Sequence, residues 1–175
     1  MRIFIATKGV DVVDTSAMAA QPVDIVRFGT PHNHRGNISA VVPAGRLVHH
    51  TFVESSGNEY TSGKIGFEEA SDPTRSYKFR RSIFIPTGNS GLDFEGSEEF
   101  NSREGYWMNK KQIHVVSWPE PTITVFMNDF RDPNESTVYQ AGGVTQEIDR
   151  PRALASEQRT RVWQSFVDLA RKNIR

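Results

Sequence analysis

The sequence predicts a mainly β protein: an antiparallel sandwich or barrel of short strands with one C-terminal amphipathic α-helix. Short apolar or alternating runs, each closed by turn residues, recur at roughly even spacing, as they do in such folds. The pattern does not alternate strands with helices, which argues against a parallel α/β sheet. The chain has 175 residues, a length that suits a single domain over 1–175.

Apolar and β-branched runs mark the predicted strands, and clusters of Gly, Pro, Asn and Ser mark the loops between them. A single helical turn is expected at 16–20, and loops at 29–37, 55–64 and 92–105. The runs 38–42 and 46–54 flank Pro43-Ala44-Gly45 and together predict a β-hairpin. The predicted strands are 1–7, 10–13, 23–28, 38–42, 46–54, 65–67, 77–85, 106–108, 112–118, 122–127 and 137–140.

The end of the chain changes to a helical period, which predicts a helix over about 156–174. Ser156 is a suitable N-cap, and Arg171 and Lys172 lie where the helix dipole favours cations. An apolar stripe must be buried on the sheet or on a partner, so its residues are the predicted interaction surface: Trp163, Phe166, Val167, Ala170 and Ile174.

Composition narrows the classes of function. The absence of cysteine excludes disulfides, thiolate catalysis and Cys-type zinc sites. Lys plus Arg equals Asp plus Glu, 21 against 21, which argues against a dedicated nucleic-acid partner. The apolar run near Met1 is too short for a signal peptide or a membrane span. We therefore expect a soluble protein without a membrane partner, located in a virion or in the host cytoplasm.

Four of the five histidines lie between Phe28 and Phe52. Strand alternation places His49 and His50 on opposite faces, so at most three imidazoles can converge. The candidate metal ligands are His32, His34 and His49.

His32-Asn33-His34, followed by Pro43-Ala44-Gly45 and His49, resembles the cupins, a β-barrel family with an HxH motif and a later PxGxxH motif. The resemblance implies a metal-binding barrel. The glutamate that the family places after HxH is absent, because Arg35, Gly36, Asn37 and Ile38 occupy that region.

Two further stretches resemble catalytic motifs. His49-His50-Thr51 is similar to the HxT of two-histidine phosphoesterases, which need a second copy. His114 could begin one, but Ser117 falls one residue late and on the other face. Gly88-Asn89-Ser90-Gly91 resembles the nucleophile loop of chymotrypsin-like proteases, with His50 and Asp72 in the matching order. The 40 residues from His50 to Ser90 are too few for such a fold, and no catalytic residue is assigned.

Cations mix with aromatic residues around 75–81, a pattern typical of single-strand nucleic-acid binding. Alternation separates the rings from Lys78 and Arg80, which favours a sheet with the rings on its buried face and the cations on its solvent-exposed face. Arg81 falls on the ring side and needs an acidic partner. The basic patch consists of Arg75, Lys78, Arg80 and Arg81.

The leading hypothesis is a non-enzymatic subunit of a larger assembly, such as a head, neck or tail component of a phage or virus particle. Its partners would be copies of itself or other assembly proteins, and no cofactor is expected. The alternatives are a small metal-dependent or phosphoesterase-type enzyme that uses the His32–His50 region, and a single-strand nucleic-acid binding module.

Overall fold

The computed structural model describes residues 2–6, 11–14, 19–22, 30–70, 79–129, 136–141, 152–153, 160, 164 and 167–172. They form two antiparallel sheets and a short C-terminal helix, which confirms the predicted mainly β class. The strands are β1 Arg2–Ala6, β2 Asp11–Asp14, β3 Ala19–Pro22, β4 Ile38–Ala44, β5 Leu47–Ala70, β6 Phe79–Phe100, β7 Gly105–Met108, β8 Ile113–Ser117, β9 Thr122–Asn128, β10 Thr137–Ala141 and β11 Arg152–Ala153.

The two sheets divide the strands unequally. The larger sheet has the order β11-β3-β2-β1-β9-β4-β7. The smaller has the order β10-β5-β6, and β8 also pairs with β5. β8 and β10 pair with different stretches of β5, at 48–52 and at 60–64. The long strand β5 therefore sets the positions of both β8 and β10.

β5 and β6 are 24 and 22 residues long and pair along almost their whole length. The predicted loops at 55–64 and 92–100 are therefore wrong, since these residues lie within β5 and β6. Residues 56–59 form a bulge between Ser55, opposite Gly91, and Tyr60, opposite Ser90. The turn-forming residues of one strand face those of the other, as Ser62 opposite Gly88 and Gly63 opposite Pro86 show. A side chain at Gly63 would lie 2.6 Å from the carbonyl oxygen of Ile85. Glycine is therefore required there for close approach rather than for a turn.

The predicted hairpin over 38–53 is also wrong. β4 pairs with β7 and β9 in the larger sheet, whereas β5 belongs to the smaller one. Gly45 adopts a φ of 82°, and a Cβ there would lie 2.6 Å from the Cα of Thr122. The Thr122 hydroxyl donates to the carbonyl of Arg46 at 2.8 Å and accepts from its N–H at 3.1 Å. The turn thus carries the chain from one sheet to the other instead of closing a hairpin.

Several local predictions are confirmed. β2 pairs with β1, and the four strands predicted between 106 and 140 correspond to β7, β8, β9 and β10. The predicted helical turn at 16–20 is wrong at Ala19 and Ala20, which lie in β3, and the strand predicted at 23–28 lies outside the described residues.

The C-terminal helix is described at Thr160, at Gln164 and over 167–172. Val167 and Ala170 are helical and half-buried, while Trp163, Phe166 and Ile174 of the predicted interaction surface lie outside the described residues. Among the residues described, no helix combines the length and the apolar character that crossing a membrane requires.

The core lies where the two sheets meet. Val42 of β4, Leu47 of β5 and Phe100 of β6 are buried against one another. Tyr106, Val116 and Trp118 are partly buried around them. Burial of these apolar side chains holds the start of β5 against the larger sheet.

Replacing Leu47 by Ala is expected to lower the free energy of unfolding by about 2–5 kcal/mol, because the substitution leaves a cavity in this core. Leu47 is only 1% exposed. Val53→Ala is the matched control, since Val53 is 46% exposed on the same strand. Urea unfolding followed by fluorescence measures both, and equal losses would contradict this placement of the core.

Candidate metal centre

Three imidazoles converge beside β8. The ligating nitrogens of His32, His34 and His114 all lie within 4.8 Å of one another. The ring centroids are 4.8–5.0 Å apart. The closest pair is Nε2 of His34 and Nε2 of His114, at 2.8 Å. These separations are close to those that three nitrogen ligands of one ion require.

Backbone pairing places two of these rings. His32 N–H donates to the carbonyl of His114 at 3.1 Å, and His114 N–H returns the bond at 2.9 Å. On its other side the segment joins β10, where Asn33 N–H donates to the carbonyl of Thr137 at 3.0 Å. His32 therefore lies like a one-residue strand between β8 and β10. In extended backbone, residues two apart share a side, which brings His34 to the same face as His32.

The rest of the loop is held by amide side chains. Asn33 Oδ1 accepts from Thr137 N–H at 2.6 Å, and Asn37 Oδ1 accepts from Lys110 N–H at 3.0 Å. His34 N–H donates to the Lys110 carbonyl at 2.9 Å. The asparagines that predicted a loop here are the groups that fix its position against the 109–112 turn.

The tautomer of His32 follows from its hydrogen bond. Its Nδ1 lies 3.0 Å from the carbonyl oxygen of Thr30. A carbonyl only accepts, so Nδ1 carries the proton and Nε2 keeps a lone pair. Histidine ligands of metal ions usually have a partner of this kind on the other ring nitrogen.

Burial keeps these rings in the neutral, ligating form. Desolvation lowers the pKa of His32, although its bond to Thr30 opposes the shift. Desolvation also lowers the pKa of His114 well below its usual value, and the neighbouring histidines lower it further. A lone pair is therefore available on each of these two rings at neutral pH.

The geometry is close to that of a tetrahedral site but not identical to it. Ligand nitrogens at about 2.0–2.1 Å from zinc lie roughly 3.3 Å from one another. The His34–His114 pair, at 2.8 Å, has to open by about half an ångström, and the widest separation has to close. Side-chain rotations supply changes of this size, so these histidines can bind an ion without a change in the backbone.

His114 takes the place that the sequence predicted for His49. The ring of His49 lies against that of His114, at a centroid distance of 5.0 Å, but outside the three converging nitrogens. Its other faces contact Phe100 and Tyr106. Local sequence gives no sign of His114, because it is 80 positions from His34 and the two meet only through β8.

His50 lies on the opposite face of β5, as alternation predicts. Its Nδ1 is 2.7 Å from Ser97 Oγ and its Nε2 is 3.0 Å from Ser117 Oγ. Ser117 is thus beside His50 and not beside His114, so the second phosphoesterase motif is not assembled.

The protease resemblance is not assembled either. Ser90 is buried and donates to Glu54 Oε1 at 2.7 Å, while His50 bonds to other serines. Asp72 lies outside the described residues.

A groove of about 730 Å³ adjoins the other side of the 31–34 segment, where it is lined in part by Asn33, Glu54, Lys111 and Tyr139. Tyr139 is almost fully buried, and desolvation, aided by Glu54, raises its pKa to about 12. None of the three converging histidines lines this groove. The imidazole cluster and the groove are therefore separate features.

The predicted basic patch is only partly described. Arg75 and Lys78 lie outside the described residues. Arg80 and Arg81 occupy positions in β6 opposite Glu69 and Glu68 of β5. Acidic positions of β5 therefore lie opposite both arginine positions.

Comparison of the chain with protein-family models, curated proteins and solved structures gives no match. The functional argument therefore depends on the geometry and chemistry of the described residues.

Lowering the pH from about 7 to 4 is expected to destabilise the metal-free protein. Desolvation lowers the pKa of buried His49 from 6.5 to about 4, so the unfolded chain takes up this proton first as pH falls. The contribution is complete above pH 6.5 and is lost as the pH falls to about 4. It amounts to about 3 kcal/mol.

Urea unfolding at a series of pH values, with a chelator present, measures this loss. His49→Phe removes this titrating group and is expected to make the pH dependence less steep, while His32 and His114 still contribute to it. An equally steep decline in this variant would contradict the assignment to His49.

Proposed function

We propose that this protein binds a divalent transition-metal ion through His32, His34 and His114. The observation that carries the proposal is the convergence of their ligating nitrogens within 4.8 Å of one another. The mutual pairing of His32 with β8 and the fixed tautomer of His32 support it.

The donor set narrows the choice of ion. Imidazole nitrogen suits zinc, copper, nickel and iron, whereas magnesium and calcium prefer oxygen ligands. The group that converges among the described residues contains no carboxylate, and the chain has no thiolate. We therefore infer a site for zinc or a neighbouring first-row ion, with cobalt as a spectroscopic substitute.

The number of ligands favours a reactive centre over a structural one. Structural zinc sites are usually closed by four protein ligands, whereas catalytic sites use three and leave a position for water or substrate. His32 and His34 are only partly buried, which gives a small molecule a side from which to approach. An ion held by these residues would lower the pKa of a bound water and polarise a bound oxygen. This supports a metal-dependent enzyme over a site with a purely structural role.

Zinc and cobalt are expected to bind with a stoichiometry of about one per chain. His34→Ala or His114→Ala removes one of three ligands and should weaken binding at least tenfold. His50→Ala is the matched control, because His50 lies on the same strand system but faces away from the cluster. Calorimetric titration with zinc and the visible spectrum of the cobalt form measure these effects.

Equal affinity in the wild type, in His34→Ala and in His50→Ala would contradict the site. The open position has its own test: azide or imidazole added to the cobalt form is expected to change its absorption spectrum. A cobalt spectrum that such ligands leave unchanged would indicate a closed structural site.

A second function, as an assembly subunit, is favoured by one surface. Trp107 of β7 and Met127 of β9 both lie opposite Ser39 of β4, so their side chains share one face of the larger sheet. Trp107 is 63% exposed and Met127 is 57% exposed. Val41, two residues from Ser39, is also exposed on this face. Exposed apolar groups that cluster in this way are typical of contact surfaces.

We propose that a second copy of this chain binds at the Trp107 edge of this surface, along β7. β7 ends the larger sheet among the described strands. The edge of an antiparallel strand is complementary to a copy of itself related by a two-fold axis. Such pairing would continue the sheet and would bring Trp107 of each copy to the contact.

Sedimentation is expected to show a dimer whose dissociation constant rises about tenfold or more in Trp107→Ser, because exposed tryptophans often dominate contact energies. Phe94→Ser is the control, since Phe94 is 62% exposed on the other sheet. A compact monomer at high protein concentration would contradict this second function and leave the metal site untouched.

A further inference from the structure

Two buried nitrogens beside the metal centre have no hydrogen-bond partner in the described structure. They are Nε2 of His49 and Nδ1 of His114. The two residues are only 4% and 5% exposed. A buried polar atom without a partner costs about 1–3 kcal/mol, so two of them on neighbouring rings require an explanation.

The register of the smaller sheet brings these rings together. His49 lies opposite Val116 and Thr51 lies opposite His114 on the paired strands β5 and β8. Residues opposite each other share a face, and so do residues two apart, so His49 and His114 are diagonal neighbours on the inner face. Their ring centroids are 5.0 Å apart, and the rings meet edge to face at 63°.

We propose that His49 is a positioning residue for the metal centre: its Nε2 accepts a hydrogen bond from Nδ1–H of His114 when Nε2 of His114 binds the ion. This inference rests on the proposed metal site. It names a role for a residue that is not one of the three ligands.

The protonation pattern of His114 is the reason. In the structure its Nε2 lies 2.8 Å from Nε2 of His34. One of these two nitrogens must donate to the other at this contact. If Nε2 of His114 binds an ion, the ring can keep its single proton only on Nδ1, so a proton held on Nε2 moves to Nδ1 by exchange with solvent. A buried N–H at that position needs an acceptor.

His49 is suited to be that acceptor. Its side chain is only 4% exposed, and one nitrogen of a neutral imidazole carries a lone pair. Nε2 is the buried nitrogen without a partner, and it belongs to the ring that packs against His114. The contacts of His49 with Phe100 and Tyr106 restrict ring rotation. These two nitrogens are not bonded to each other in the structure, so the proposed bond forms by rotation of the His114 ring toward His49. An acceptor held in place lowers the cost of that ligating orientation.

The test compares zinc affinity and metal-free stability in two variants. His49→Phe keeps a ring but removes both nitrogens, and it should weaken zinc binding about 10–100-fold, the usual effect of losing such a partner. The stability of its metal-free form should be unchanged or higher at neutral pH, because an unpaired buried nitrogen is removed. His49→Gln restores an acceptor oxygen and should recover part of the affinity. His50→Phe is the matched control on the opposite face.

A direct readout is the imidazole N–H proton of His114 in the zinc form, observed by ¹⁵N-resolved NMR. It should be slow to exchange in the wild type, shifted in His49→Gln and rapidly exchanging in His49→Phe. Wild-type zinc affinity in His49→Phe would overturn the inference, and so would equal losses in His49→Phe and His49→Gln. A wild-type protein that binds neither zinc nor cobalt would remove the proposed function and this role with it, whereas the first two outcomes leave the three-histidine site standing.

Discussion

The pairing of β5 with β6 is the interaction on which the rest of the structure depends. It runs from Leu47 opposite Phe100 to Ala70 opposite Phe79, and it gives β5 a fixed edge along which β8 and then β10 are placed. The segment around His32 closes the space between those two strands. The three imidazoles therefore meet because the ribbon sets the position of β8, and a slip by one residue would turn His114 to the other face.

The sequence predicted the fold class and the short strands better than it predicted the long ones. Alternation and β-branched residues identified β7, β8, β9 and β10 because each is a compact apolar run bounded by turn residues. The stretches 55–64 and 86–91 carry Gly, Pro, Asn and Ser, which locally favour turns. They pair with each other, and the sequence of one stretch alone does not show that the other stretch is its partner. The ribbon bulges at these positions, as the register shifts at Ser55 and Ser62 show.

The sequence predicted histidine ligands, but it did not predict which histidine is the third. His32-Asn33-His34 indicated two ligands that share one side, and the structure brings them together. The third ring comes from His114 of β8, and His49 of β5 packs against it without joining the three converging nitrogens. Alternation did separate His49 from His50, and the inner one of the pair packs against the cluster. Spacing along the chain shows which residues share a face, but only the order of strands shows which faces meet.

Buried imidazoles are costly without a ligand, and this cost links the site to the stability of the fold. Small domains are stable by only about 5–15 kcal/mol, so two unpaired buried nitrogens on His49 and His114 remove a noticeable share of that margin. An ion would offset this cost, because ligation through Nε2 would leave the His114 proton on Nδ1, where Nε2 of His49 can accept it. Binding to the folded chain alone stabilises it by about 2.7 kcal/mol at a hundredfold excess over the dissociation constant. The surface around Trp107 lies on the outer face of the other sheet, so a two-fold contact there and an ion at the histidines can coexist in one particle.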